Sequence, residues 1–287
     1  MLLGPLLSRW YPLLFVLLWS TGFIGAKYGL AHAEPLSFLL IRYLLVIALM
    51  TSLALAMRAP WPRDGRHWFH IGVSGLLVHA TYLGGVFVAI HQGLPAGITA
   101  LVVGLQPIFT ALGAGWLLGE RVAGRQWLGL VMGLGGTALV VSGKLGGGFG
   151  SHALVPAVVA LAGITAGTLY QKRFCPSFDL RTGAVAQFIP AAVATLLAVS
   201  LTEEFRVEWT PAFVFALGWL VLVLSVGAIG LLNLLIRSGS AVNVASLFYL
   251  TPATTSLIAW AAFGETLPGP ALAGMGLAVW GVYLSRR

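Results

Sequence analysis

Long apolar runs of this 287-residue chain hold a few side chains able to bind or move a polar group. His79 stands in the middle of the run 68–91, and Tyr82 follows at i+3, on the same face if the run is α-helical. Imidazole titrates near neutral pH. The pair therefore reads as a hydrogen-bonding or proton-sensitive site in a cavity; the plainer reading is a neutral histidine donating to a neighbouring helix. Arg42 offers a planar fork suited to a carboxylate. Its plainer reading, snorkelling outward or pairing with Glu34, is the favoured one, and more strongly so for Lys27 near a helix end. Gln106-Pro107 and Thr251-Pro252 lie at the centres of two further runs. Proline there removes a backbone donor and frees a carbonyl. Gln106 and Thr251, with Thr110 and Thr255 one turn on, are expected to line a pathway, and Pro107 and Pro252 to supply its gating kinks or a structural bend. Trp19, Ser20, Tyr170, Gln171, Tyr249 and Asn243 are further candidates for the cavity wall.

Carboxylates are missing from these places. All eight acids (Glu34, Asp64, Glu120, Asp179, Glu203, Glu204, Glu208 and Glu265) fall in polar breaks or at run ends. Glu120 and Glu265 each follow a glycine and suit the positive N-terminus of the next helix; a pair of symmetric gate latches is the less favoured reading. Cys175 is the single cysteine, so neither a disulfide framework nor a cysteine metal cluster is available. No G-x-S-x-G, Walker-type loop or H-E-x-x-H occurs, and Gly146–Gly150 reads as a connector. Neither a metal nor a cofactor is expected, and nor is enzymatic activity.

The elements that must position these residues are membrane helices. Hydrophobic residues make up 59% of the chain and Asp, Glu, Lys and Arg only 8%, against about 25% in soluble proteins. A span needs about 20 apolar residues. Spans are expected near 10–31, 35–57, 68–91, 95–118, 124–142, 152–171, 180–201, 211–236, 240–263 and 267–285. The net charge of +8 is scattered singly between these runs rather than gathered in a stripe, which argues against nucleic acid as a partner.

The chain also repeats itself at an offset of 145. Between Ala96–Glu120 and Ala241–Glu265, nine of 25 positions are identical without a gap, the Leu-x-Pro and terminal Gly-Glu included. The same offset pairs Gly22 with Gly167, Gly129 with Gly274, and Gly136 with Gly281. With the N-terminus in the cytoplasm, 12 of the 16 lysines and arginines fall on the cytoplasmic side, as the positive-inside rule asks. An odd number of helices per half inverts the second half, a construction used by secondary transporters. The fold class expected is therefore all-α integral membrane, ten transmembrane helices as two inverted-topology five-helix repeats, residues 1–145 and 146–287, with both termini cytoplasmic. Gly129/Gly133/Gly136 and Gly25/Gly29 are expected to serve helix packing within the chain.

Trp19-Ser20-Thr21-Gly22-Phe23, Pro35 with Arg42-Tyr43, Gln106-Pro107…Gly119-Glu120 and Thr251-Pro252…Gly264-Glu265 together resemble the EamA-type ten-helix members of the drug/metabolite transporter superfamily. The resemblance spans the whole chain. It implies a small-metabolite transporter of the bacterial inner membrane, with a central cavity opening alternately to each side. The small four-helix multidrug members of that superfamily carry a membrane-embedded glutamate in the first helix; the matching region here, Trp19-Ser20-Thr21, has no carboxylate. Carboxylate-driven export of lipophilic cations is thus not expected. The expected cargo is a small polar metabolite, an amino acid or derivative, moved as monomer or homodimer by facilitated diffusion or with protons as coupling ion. The alternatives are a nucleotide, nucleotide-sugar or lipid-linked cargo and, in another class, a non-transporting assembly subunit or an intramembrane enzyme.

Overall fold

The computed structural model describes residues 10–142, 150–175, 177–263 and 266–286, apart from the side chains at 23, 24, 27, 96, 97, 151, 259, 262 and 263. Lys27's side chain, Lys144, most of the glycine connector, Glu265 and Arg287 therefore lie outside it.

Among these residues the chain is helical and forms no strand; one antiparallel bridge joins Ala33 to Val207. The helices are α1 Tyr11–Leu30, α2 Pro35–Ala56, α3 Gly65–His91, α4 in two pieces (Ala96–Val103 and Gln106–Leu118) and α5 Gly124–Ser142. They continue with α6 Leu154–Phe174, α7 Leu180–Thr202 and α8 Pro211–Ser238. The broken α9 follows (Ala241–Ser246, a 3-10 turn Leu247–Tyr249, then Leu250–Phe263), and α10 is Gly269–Ser285. Proline or an oxygen-bearing cap starts most of them. Asp64 Oδ1 accepts from His67 N at 2.6 Å, Thr210 Oγ1 from Phe213 N at 3.2 Å, and Ser240 Oγ from Asn243 N at 3.1 Å. Gly119, in the left-handed region at φ 68°, ends α4.

Seven stretches are long and apolar enough to cross a membrane: Pro35–Ala56, Gly65–His91, Ile98–Leu118, Leu154–Phe174, Leu180–Thr202, Pro211–Ser238 and Ala241–Ile258. Tyr11–Gly22 and Gly269–Ser285 are apolar but shorter, and the glycine-rich α5 has 19 residues. By length and composition the expected ten spans are thus met in seven. Large apolar side chains such as Leu55, Trp116, Leu201 and Phe215 point outward, as suits a surface solvated by lipid.

Extensive helix contacts join α5 to α10, α3 to α6 and α2 to α7; the first and last of these pairs are elements that lie 145 residues apart. In both pairs the helices run in opposite senses. A Cβ on Gly129 would lie 2.5 Å from Gly281 O, and one on Gly136 would lie 2.6 Å from Gly274 O. These contacts are reciprocal, since the offset turns Gly129 into Gly274 and Gly136 into Gly281. The glycines thus serve packing within the chain, and backbone meets backbone where a side chain would not fit. Between α2 and α7, Glu203 Oε2 accepts from Ser37 Oγ at 2.9 Å and Pro60 O accepts from Thr182 Oγ1 at 2.8 Å. Midway, Tyr43 lies 5.3 Å from Phe188, which is its own partner under the offset.

Departures from α-geometry fall at matched places too. α3 widens into a π-helix over Leu76–Leu83 and α8 over Leu220–Ala228. A hydroxyl five residues on occupies a loosened carbonyl in each: Thr81 Oγ1 donates to Leu76 O and Ser225 Oγ to Leu220 O, both at 3.1 Å. α4 breaks at Gly104-Leu105 and α9 at Leu247–Tyr249, each just before its proline.

Candidate functional site

α1 brings Trp19, Gly22 and Ala26 to one wall of a cavity of about 450 Å³; α2 contributes Arg42, α3 Tyr82, Leu83, Val86 and Phe87, and α8 Leu220, Leu224 and Ile229. A second cavity of about 280 Å³ lies between Trp19, Tyr82, Ala100, Val103, Gly104, Phe248, Thr251 and Pro252. Trp19 and Tyr82 border both. Their rings stack nearly parallel, 11° apart, with centroids at 6.3 Å, so this pair is the septum between the two spaces.

Arg42 is the only charged side chain among the described residues of either wall. It is 3% exposed. Its hydrogen bond runs from Nε to Ser225 Oγ at 3.0 Å, and no acid among the described residues comes within ion-pair distance. The favoured expectation for this residue does not hold. Arg42 does not snorkel, and Glu34 is engaged by His91 Nε2 at 3.2 Å. Burial of an unpaired cation is costly, and here the cation is held beside open volume by a hydroxyl from the π-helical stretch of α8.

The expected His79–Tyr82 pair is parted. The π-helix widens the turn, so positions i and i+3 no longer share a face. Tyr82 turns to Trp19, whereas His79 lies flat on Phe188 at 4.0 Å, 14° from parallel. His79 lines neither cavity, is fully buried, and its ring nitrogens find no partner among the described residues. Its carbonyl accepts from the Tyr43 hydroxyl at 2.8 Å.

α1 is tied to the break in α9. Ser20 Oγ donates to Val16 O at 2.6 Å and contacts Thr251 O at 3.3 Å, and Thr255 Oγ1 donates to Ser20 O at 3.3 Å. The hydroxyl of Thr251, on the wall of the second cavity, has no described partner, and neither do the buried Gln106 side chain, Thr110 Oγ1 and the Tyr249 hydroxyl. Tyr249 packs on Gly133, and its carbonyl is contacted by Thr137 Oγ1 at 3.4 Å. Pro252 borders the second cavity; Pro107 is buried on α4 beside Gln106.

Tyr170 and Gln171 leave the cavity walls. Tyr170 is half-buried, bonded through its hydroxyl to His70 Nδ1 at 2.7 Å and packed on Phe174 at 4.6 Å. Gln171 belongs to a cluster that polarity along a single helix did not reveal. Its Nε2 donates to Asn233 Oδ1 at 2.9 Å, Asn233 Nδ2 to Gln187 Oε1 at 3.3 Å, and Gln187 Nε2 to Gln171 Oε1 at 3.2 Å. The three carboxamides close a ring, and Gln187 also donates to Ser74 Oγ at 3.0 Å. All four residues are buried. Asn243 stands apart, 3.4 Å from Gln126 Nε2.

The acids stay at helix ends. Glu120 departs from its expectation: it does not serve the following helix but accepts from Ala241 N, the start of α9, at 3.2 Å from each carboxylate oxygen. Glu203 does the same for α2, accepting from Leu36 N and Ser37 N at 2.8 Å. Between α6 and α7, hydrogen bonds from Arg181 hold the Asp179 carboxyl below its usual range, and burial pushes the Cys175 thiol up to about 11. No group of three metal-ligating side chains occurs among the described residues.

The sequence profile of the EamA-like transporter family matches residues 8–142 and again 153–287. The chain belongs to the EamA-like transporter family. It is a multi-pass membrane protein with a transport function of that kind. The uncharacterized inner membrane transporter YedA of Escherichia coli (strain K12) is 27% identical, over 98% of this chain and 90% of that protein. A probable amino-acid metabolite efflux pump of the same organism is 25% identical, over 95% and 92%. One solved crystal structure has the same fold, with a TM-score of 0.79 at 23% identity over 98% of this chain and 96% of the other.

Proposed function

We propose that this EamA-family chain is a ten-helix secondary transporter of the inner membrane. Its halves, 1–145 and 146–287, are inverted repeats that export small polar metabolites, amino acids or their derivatives, by alternating access. The observation that carries this reading is Arg42: a buried guanidinium without an acid partner among the described residues, beside a cavity whose walls come from α1, α2, α3 and α8. A substrate carboxylate is the missing counter-charge. A nucleotide or lipid-linked pyrophosphate would call for more cations than this wall offers.

The two-fold relation between the halves supports the alternating-access part. Under the 145 offset, Ala26 and Arg42 on the cavity wall correspond to Gln171 and Gln187, two members of the carboxamide ring. One side of the molecule is thus open around Arg42, while its counterpart is closed by a ring of hydrogen bonds. Exchange of the two arrangements, with the septum Trp19–Tyr82 and the broken helices α4 and α9 moving between them, would carry a substrate across.

Purified protein in liposomes, given a panel of labelled amino acids and derivatives with and without an imposed pH gradient, tests this. Saturable flux of one carboxylate class is expected, at least tenfold slower in Arg42→Gln. Folded protein that moves none of the panel would overturn the cargo assignment.

A further inference from the structure

We infer that the ligand of the Arg42 cavity is an apolar or aromatic monocarboxylate without a free ammonium group, a deaminated or N-acylated amino acid rather than the zwitterion. This rests on the transport reading above and narrows its substrate.

The argument is one of charge. Among the described residues the wall supplies one cation, Arg42, and no acid. Each described acid is already engaged at a helix end: Glu34 with His91, Glu120 with Ala241 N, Glu203 with Leu36 N and Ser37 N, and Glu208 with His32. Asp64 caps α3, Asp179 pairs with Arg181, and Glu204 pairs with Arg206. The carbonyls loosened by the π-helices are occupied as well: Leu76 O by Thr81, His79 O by Tyr43, and Leu220 O by Ser225. A zwitterion would neutralise Arg42 and bring in an ammonium that meets, among the described side chains of this wall, the faces of Trp19, Tyr82 and Phe87 and no carboxylate. Such cation–π attraction is weaker than the hydration the ammonium gives up on entry. A monoanion leaves no charge over. Its body would lie on Gly22, Ala26, Val86, Leu220, Leu224 and Ile229, which carry no polar side-chain atom.

The test uses the full-length protein in nanodiscs, with ligand binding read by calorimetry, and in liposomes, with flux read by counterflow. The probes are N-acetyl-L-phenylalanine, 3-phenylpropanoate, L-phenylalanine and phenethylamine. The two monoanions are expected to bind at least tenfold more tightly than L-phenylalanine, to be carried, and to lose at least tenfold in affinity in Arg42→Gln. Phenethylamine is expected not to bind. Arg42→Lys, which keeps the charge, should retain the order of preference at lower affinity and serves if the glutamine variant does not fold. L-Phenylalanine binding as tightly as the monoanions would overturn the inference and leave the transport reading standing. If neither monoanion nor zwitterion is bound or carried, the cavity is not the substrate site and both fall.

Discussion

His79 packs among rings, with the Gln187 carboxamide also near it: Phe188 lies flat against it and Tyr43 is 6.2 Å away. Both ring nitrogens are buried without a described partner, and an unsatisfied buried polar group costs about 1–3 kcal/mol. His79→Phe is therefore expected to melt at the same temperature as the parent or higher, and His79→Ala to lose about 2–4 kcal/mol through the void it leaves. Melting in detergent decides it; a drop for phenylalanine as large as for alanine would mean that a bound water or ligand satisfies the imidazole. Sequence singles out His79, Trp19, Tyr82 and Thr251 as polar or large residues in mid-run; the last three border the cavities and His79 does not. It could not tell which way each faced. Tyr170 has the same signature and sits at a half-buried edge with His70. Gln187 and Asn233 were overlooked although they too are amides inside apolar runs, the signal that flagged Gln106. The offset places Gln187 opposite Arg42, which would have drawn attention to it. That Gln171, Gln187, Asn233 and Ser74 converge is a property of four helices and is written in none of them.

Among elements, the α5–α10 crossing sets backbone directly against backbone. A Cβ on Gly136 would stand 2.4 Å from Ala278 N and 2.6 Å from Gly274 O, both backbone atoms that cannot swing aside. Gly136→Ala is expected to destabilise the protein by about 1–3 kcal/mol, the range for forced overpacking. Gly276 lies on α10 too, with nothing within 4 Å of its would-be Cβ. Gly276→Ala should be neutral or stabilising by up to about 1 kcal/mol, because alanine has the better helix propensity. Chemical denaturation of the two variants beside the parent measures both, and equal behaviour would contradict the close crossing. This crossing was readable in advance because small residues spaced four apart leave a mark in sequence. So were the breaks in α4 and α9, through Pro107 and Pro252. The π-helices were not. Leu76–Leu83 and Leu220–Ala228 have the composition of ordinary apolar helix, and the extra residue per turn is stabilised by packing and by single hydroxyls at Thr81 and Ser225. That widening separates His79 from Tyr82 and carries Ser225 to Arg42.

At the scale of the molecule, two of the extensive interfaces, α5–α10 and α2–α7, join elements one offset apart and running in opposite senses. Each is its own counterpart under exchange of the halves: Gly129 meets Gly281 as Gly136 meets Gly274, and Tyr43 meets Phe188. A relation of that kind inverts one half against the other, which requires an odd number of crossings per half and an even number in all. Seven stretches qualify as spans by length and composition, and seven crossings would put the termini on opposite faces. Ten, as proposed, would put them on the same face, and by the positive-inside rule the placement of lysine and arginine points to the cytoplasm as that face. Fusions of a fluorescent protein that matures only in the cytoplasm, one at each terminus, separate these counts directly. Both fusions are expected to fluoresce. A dark fusion at one end only would give an odd count and break the inverted relation, and with it the correspondence between the Arg42 cavity and the carboxamide ring. Two dark fusions would keep the relation and turn the molecule over, so that the Arg42 cavity would lie nearer the cytoplasm and the ring of Gln171, Gln187 and Asn233 nearer the outer face.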